Sequence, residues 1–461
     1  MRTFSFLILA FIIAVSCNSQ SKTAQTGADI PAISDDSLFT LVQYRTFQYF
    51  WDGAEPNSGM ARERYHSDNV YPENDKHIVT SGGSGFGVMA ILVGIERGFI
   101  TRQQGLERLQ KIVDFLKKAD RFHGAWSHWI DGETGKVKPF GANDNGADLV
   151  ETSYMIQGLI AVKQYFKDGN NAEKKLVADI DKLWREVEWD WFTQGKNVIY
   201  WHWSPDKGWA MNFPVEGYNE CLIMYVMAAS SPTHPVKPEA YHQGWARGGK
   251  IVSDREKYGY KLYLKHNYAE EYGGPLFWAH YSYLGLDPRG LSDRYANYCE
   301  ANRNQTLINH RWCTTNPKNF AGYDSTCWGL TASYSVNGYH AHAPGEENDR
   351  GVISPTAALS SFPYTPKQSM DAMKSFYHKL GANLWGEFGF YDAFSVQDNW
   401  YPKRYLAIDQ GPIVVMMENY RTGLLWDLFM KDPDVKRGLD RLGFKVDEGV
   451  KNEIKRNSKI Y

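Results

Sequence analysis

Seven stretches of this chain share one design, a helix-length run of apolar and small residues entered through a loop rich in Gly, Pro or acidic residues. They begin near Gly83 (GSGFGVMAILVGIERG), Asp148 (DLVETSYMIQGLIAVKQYF), Gly217 (GYNECLIMYVMAAS), Gly274 (GPLFWAHYSYLG), Trp328 (WGLTASYS), Ser354 (SPTAALSSFPY) and Asp409 (DQGPIVVMMENYRTGLLWDLF). A helix that is apolar all round must be contacted all round, so these runs belong inside. Amphipathic segments with charged faces, Arg102 to Ala119 and Asn171 to Trp189, run between them. An earlier candidate, Leu38 to Trp51, places Leu41, Tyr44, Phe47, Phe50 and Trp51 at helical spacing. Most starts lie roughly 55 to 70 residues apart, room for two helices and two loops per unit. An inner helix backed by an outer one, repeated about six times and bent into a ring, gives an all-α (α/α)6 toroid. An open α-solenoid is the rival arrangement. In the ring, the N-terminal ends of the inner helices share one mouth, where unpaired N–H groups and the entry loops form a pocket.

Acids gather at those entries. The junction GANDNGADLVE carries Asp144 in the loop, with Asp148 and Glu151 three apart on the first turn of a helix starting near Ala147. An Asp there is commonly an N-cap. Glu151 precedes an apolar helix and would face its neighbours, a costly place for an unpartnered charge. In NFPVEGYNE, Glu220 falls just inside the next inner helix, where a first-turn acid is also simply a charge favourable to the helix dipole. In YLAIDQGP, Asp409 is positioned to cap a helix that has Pro412 early in it. Glycoside hydrolysis needs two carboxyl groups, one that gives a proton to the leaving oxygen and one that activates water or attacks carbon. Crowded carboxylates supply both, because like charges raise the pKa of one member.

Composition points the same way. Aromatic residues make up 15% of the chain, with Trp 16, Tyr 29 and Phe 23, and flat rings with polar tips suit the faces of sugars. Platforms flank the acidic junctions: Trp126 and Trp129, then Trp201, Trp203 and Trp209, then Trp385, Phe390, Tyr391 and Trp400. The substrate-binding candidates among them are Trp126, Trp203, Trp385, Tyr391 and Trp400. A formal net charge of -2 argues against nucleic acid as a ligand, since phosphate-backbone binding needs a concentrated basic surface. The run SGGSGFG lacks the βαβ setting of a dinucleotide loop. NDNG fails as a calcium loop, because its first position would be Gly141 and its twelfth Thr152. Neither Cys nor His spacings form a zinc signature, so no metal and no cofactor is expected. Cys221 reads as a buried thiol, and Cys299, Cys313 and Cys327 are candidates for pairing in an exported protein.

The N-terminus reads as a targeting segment, with Arg2, an apolar run from Phe4 to Val15, and Ala14-Val15-Ser16-Cys17 in the pattern of a lipoprotein cleavage site. The expected organisation is a signal peptide over 1–17, a flexible tether over 18–34 and one helical domain over 35–461. Cys17 would carry the lipid anchor of an exported, monomeric protein of the periplasm or outer membrane.

The segments GGSGFGVMA, GANDNGADLVETSYMIQGL, NFPVEGYNE, HYSYLGLDPRG and LAIDQGPIVVMMENYRTGLLW, in this order, resemble the bacterial glycoamylase-like domain proteins of glycoside hydrolase family 144. The match runs from about Asp35 to about Phe429. The resemblance implies an (α/α)6 barrel and β-1,2-glucan as substrate, cut endo to sophorooligosaccharides or exo to sophorose, with inversion. Carried over by motif, the acids on which the family depends fall on Asp144, Asp148, Glu151, Glu220 and Asp409. Glu220 is then the expected general acid and Asp409 the general base, with Asp144, Asp148 and Glu151 holding substrate hydroxyls or water. An inverting glucanase for another linkage and a non-catalytic glycan-capture lipoprotein are the alternatives.

Overall fold

Helix α1 (Asp35–Trp51) opens the fold and is capped by Ser34, whose hydroxyl accepts the Ser37 N–H. The computed structural model describes residues 33–71 and 73–457, so the expected signal peptide and all but the end of the tether lie outside the described residues. The chain continues through α2 (Ser81–Glu96), α3 (Arg102–Leu116), α4 (Leu149–Phe166), α5 (Asn171–Arg185), α6 (Leu222–Ser230), α7 (Tyr298–Thr315), α8 (Pro355–Leu359), α9 (Pro366–His378), α10 (Gly381–Leu384), α11 (Ala407–Arg421), α12 (Leu424–Met430), α13 (Pro433–Leu442) and α14 (Glu448–Asn457).

The inner and outer roles follow the sequence pattern. α2, α4 and α6 are apolar on every face and buried almost throughout. α3 and α5 bury one stripe each, and both begin with capping boxes, Thr101 with Gln104 and Asn170 with Glu173. α11 packs on α2, α2 on α4, and α4 on α6. α6 meets a pair of 3-10 turns, Leu276–Ala279 and Tyr281–Tyr283, and these reach the segment between α8 and α9 through the His280 Nε2–Ser361 Oγ hydrogen bond at 3.0 Å and Tyr364 Oη donating to the Ala279 carbonyl at 2.9 Å. α8 in turn packs on α11. The fold is of the all-α (α/α)6 toroid class. α2 and α4 cross backbone on backbone: a Cβ on Gly85 would lie 2.3 Å from the Tyr154 carbonyl oxygen, and one on Gly158 would lie 2.2 Å from that of Gly85.

Two expected inner helices take other forms. The segment from Gly274 begins with Pro275 and makes only the 3-10 turns, and the segment from Trp328 becomes a strand, Ala332–Ser335, paired with Gly338–Ala341 across a two-residue turn. Cys299, Cys313 and Cys327, the candidates for pairing, are free thiols, while Cys221 is the buried thiol expected of it. Among the described residues, no helix is long and apolar enough to cross a membrane.

Short antiparallel strand pairs stand immediately before three of the inner helices. Ile78–Thr80 pairs with Trp129–Asp131 ahead of α2, Ala147–Asp148 with His202–Trp203 ahead of α4, and Arg404–Leu406 with Arg64–His66 ahead of α11. These pairs fix the entry loops at the helix N-termini, and the principal cavity lies over them.

Candidate active site

The cavity has a volume of about 1150 Å³, and its lining includes the acids Glu63, Asp144, Glu151 and Glu220. Asp148 is the N-cap of α4: its Oδ1 accepts the Glu151 N–H at 2.9 Å, and its Oδ2 accepts the Trp201 indole N–H at 2.9 Å. Asp148 thus meets the capping expectation; it is fully buried and is not among the residues that line the cavity. Glu151 projects towards α2, where Oε2 accepts the N–H of Gly82 in the first turn at 2.8 Å and the Thr80 hydroxyl at 3.3 Å. An orphan donor of one inner helix thus satisfies an acid of the next.

His128 ties the acids together. Its Nδ1 stands 3.7 Å from Asp144 Oδ2 and 3.5 Å from Asp148 Oδ2, and its Nε2 stands 3.9 Å from Glu151 Oε1. Phe140 stacks flat on the imidazole with ring centroids 4.2 Å apart. Burial works against the charged imidazolium, but Glu151, Asp144 and Asp148 outweigh it and hold the His128 pKa well above the ordinary histidine value. His202 approaches Asp144 from the far side, with Nε2 at 3.5 Å from Oδ1 while accepting the Gly146 N–H at 3.0 Å. His128, Asp144 and Asp148 offer ligand atoms within 4.8 Å of one another, a spacing that a cation fits. A protonated His128 would supply positive charge there, and a metal would have to displace its proton.

Burial raises the pKa of Glu151, the nearby charges of Asp148 and Glu63 add to the rise, and His128 opposes it. Glu220 comes two residues before α6, just outside the helix rather than just inside it. Its carbonyl accepts the hydroxyls of Ser282 at 2.5 Å and Tyr154 at 3.3 Å, and burial pushes its carboxyl up to about 7. Asp409 sits in the first turn of α11, 1% exposed, beside Asp392. Burial raises its pKa well above the carboxylate range, and the Asp392 and Glu63 charges push the same way.

The aromatic candidates divide. Trp400 lines the cavity. The other four do not: Trp126 is fully buried with its indole N–H donated to the Leu116 carbonyl at 3.1 Å, and Trp203 packs edge-on against His123. Trp385 packs against Phe390 and Tyr377, and Tyr391 against Tyr405. Cavity walls are supplied instead by Trp129, Phe140, Trp201, Phe213, Tyr281 and Tyr339. Glu63 and His128 line the cavity and Asp392 lies beside Asp409, and the junction motifs single out none of the three. The repeated loop-to-helix junction is the sequence signal, and all three stand outside those junctions.

The Glycoamylase family model matches residues 212–433. The structure is similar to that of an endo-β-1,2-glucanase from Chitinophaga pinensis in complex with sophorotriose and glucose, with 67% identity and a TM-score of 0.89 over 90% of this chain and 99% of that one. The chain belongs to glycoside hydrolase family 144. It is also 47% identical over 441 residues to an exo-β-1,2-glucooligosaccharide sophorohydrolase from Parabacteroides distasonis, covering 92% of this chain and 60% of that protein's length. A fungal endo-β-1,2-glucanase from Talaromyces funiculosus, 10% identical with a TM-score of 0.63 over 92% of each chain, shares the fold. In this family 144 chain, Asp144, Asp148 and Glu151 gather around His128 at the N-terminus of α4, and Glu151 reaches the first turn of α2.

Proposed function

We propose that this chain hydrolyses β-1,2-glucan to sophorose or short sophorooligosaccharides, with inversion at the anomeric carbon. The observation that carries the reading is the 67% identity, over 99% of its length, to an endo-β-1,2-glucanase. Glu220 is the general acid: it lines the cavity, and a carboxyl raised to about 7 keeps a proton to give near neutral pH. Asp409 stands on the side of the general base. Asp144, Asp148 and Glu151, organised by His128, hold substrate hydroxyls and the attacking water. Trp400, Trp129 and Trp201 present faces to the sugar rings. The higher identity to the endo-acting relative than to the exo-acting one favours internal cleavage.

The protein is an exported monomer, lipid-anchored through Cys17 at the periplasm or outer membrane, a reading supported by the Ala14-Val15-Ser16-Cys17 pattern. Incubation with linear β-1,2-glucan, a starch-type α-glucan and β-1,3-glucan tests the reaction. Sophoro-type products from the first polymer alone are expected. Cleavage of the α-glucan alone would overturn the linkage, and no cleavage of any polymer, with binding retained, would favour a glycan-capture role.

A further inference from the structure

Asp392 has no part in the roles given above, yet it is the partner that decides what Asp409 can do. It is 2% exposed, and its carboxyl stands beside that of Asp409, itself 1% exposed. Both oxygens of Asp409, and Oδ1 of Asp392, receive no N–H or O–H donor from the protein. Asp392 Oδ2 accepts the Tyr334 N–H at 2.8 Å, and its backbone carbonyl accepts the Ser354 hydroxyl at 2.6 Å, so the residue is anchored through both side chain and backbone.

Two ionised carboxylates side by side at a dry site repel strongly, and no donor relieves Asp409. The arrangement is satisfied when one proton lies between them, so the pair titrates as a unit. The Tyr334 N–H favours charge on Asp392, which leaves the proton on Asp409. Burial raises both carboxyls, that of Asp392 to about 6. The groups that face the pair do not supply the missing charge. Glu63 acts on both members, Tyr281 and Tyr339 face Asp409, and Tyr334 faces Asp392, with Arg64 and Arg404 acting on Tyr334.

We infer that the proton acceptor in hydrolysis is the Asp392–Asp409 pair rather than Asp409 alone, with Asp392 as the positioning residue that takes over the proton Asp409 already holds. This rests on the reading of Asp409 as the base of the proposed reaction. As water attacks the anomeric carbon, one water O–H bond breaks and its proton joins the free oxygen of Asp409, while the proton between the two acids crosses to Asp392. The new C–O bond to water forms, the bond from the anomeric carbon to the leaving oxygen breaks, and that oxygen receives the Glu220 proton. The pair then holds two protons and Glu220 none, and one proton returns through solvent before the next turnover.

Difference infrared spectroscopy of the whole protein between pH 6 and 8 reads the shared proton directly. In Asp392→Asn the side-chain N–H donates to Asp409 and leaves it ionised, so a neutral-carboxyl band present in the wild type is expected to disappear. Asp409→Asn gives the same loss and serves as the second variant. A band unchanged in both variants would overturn the pairing, whatever polymer the protein cuts. In turnover, Asp392→Asn is expected to move the acid limb of kcat down by about one pH unit or more, with KM within about twofold. A uniform fall in kcat at every pH, with the limb unmoved, would reduce Asp392 to a structural role.

Discussion

Glu220→Gln separates chemistry from packing, because Gln has the shape of Glu and cannot ionise. A carboxyl raised to about 7 is ~90% protonated at pH 6 and ~10% at pH 8, so the wild type should lose activity roughly tenfold per unit above pH 7. The variant should lose ~10²–10⁴-fold in kcat at pH 6, the usual contribution of a general acid, and should lack that alkaline limb. The same side chain makes a thermodynamic prediction. A carboxyl whose pKa is raised by folding contributes stability that is whole below the unfolded value of 4.5 and is lost as pH rises through about 7. The rise corresponds to ~3 kcal/mol, and because Glu220 is only half-buried, solvent screening reduces this to ~1–3 kcal/mol. Gln loses nothing on that path. Urea unfolding should therefore find equal stability for the two proteins near pH 4.5 and a lead of that size for the variant at pH 8.5. Unfolding curves with no pH-dependent gap, or an alkaline limb preserved in the variant, would refute the reasoning.

His128→Ala removes the group whose pKa its acidic neighbours hold above the ordinary histidine value, so thermal unfolding near pH 6 should show a loss of ~3 kcal/mol, shrinking as pH rises through the raised pKa. Trp400→Ala and Trp126→Ala should behave as opposites. The first should raise KM several-fold with the denaturation midpoint unchanged, and the second should cost ~3–5 kcal/mol in unfolding free energy with KM unchanged. Parallel kinetics and denaturation on the two variants check both.

The helices that the sequence declares most clearly are those with a single buried stripe and a cap. α3 and α5 begin at the expected residues because Thr101 with Gln104 and Asn170 with Glu173 fix their first turns. The apolar runs are harder, because a short buried segment looks alike in any backbone state. The stretch from Trp328 has the apolar and small residues of an inner helix, yet in Thr331 to Ser335 hydroxyl residues alternate with Ala332 and Tyr334, and Asn337-Gly338 follows, which are hairpin signals. The acids of the entry loops were legible because they recur at one place in each unit. Asp392 and Glu63 were not, because each gains its meaning only from a neighbour distant in sequence. Aromatic residues near an acidic junction are equally ambiguous until burial is known. Trp126 and Trp129 stand three apart, and only Trp129 reaches the cavity.

Proton NMR of the first minutes of a β-1,2-glucan digest tests the account most directly, because water delivered from the side of the sugar opposite the leaving group fixes the anomer of the new reducing end. The α-anomer should appear first and decay to the equilibrium mixture, and Glu220→Gln should show neither signal on that timescale. A β-anomer appearing first would contradict the roles given to Glu220 and the Asp392–Asp409 pair.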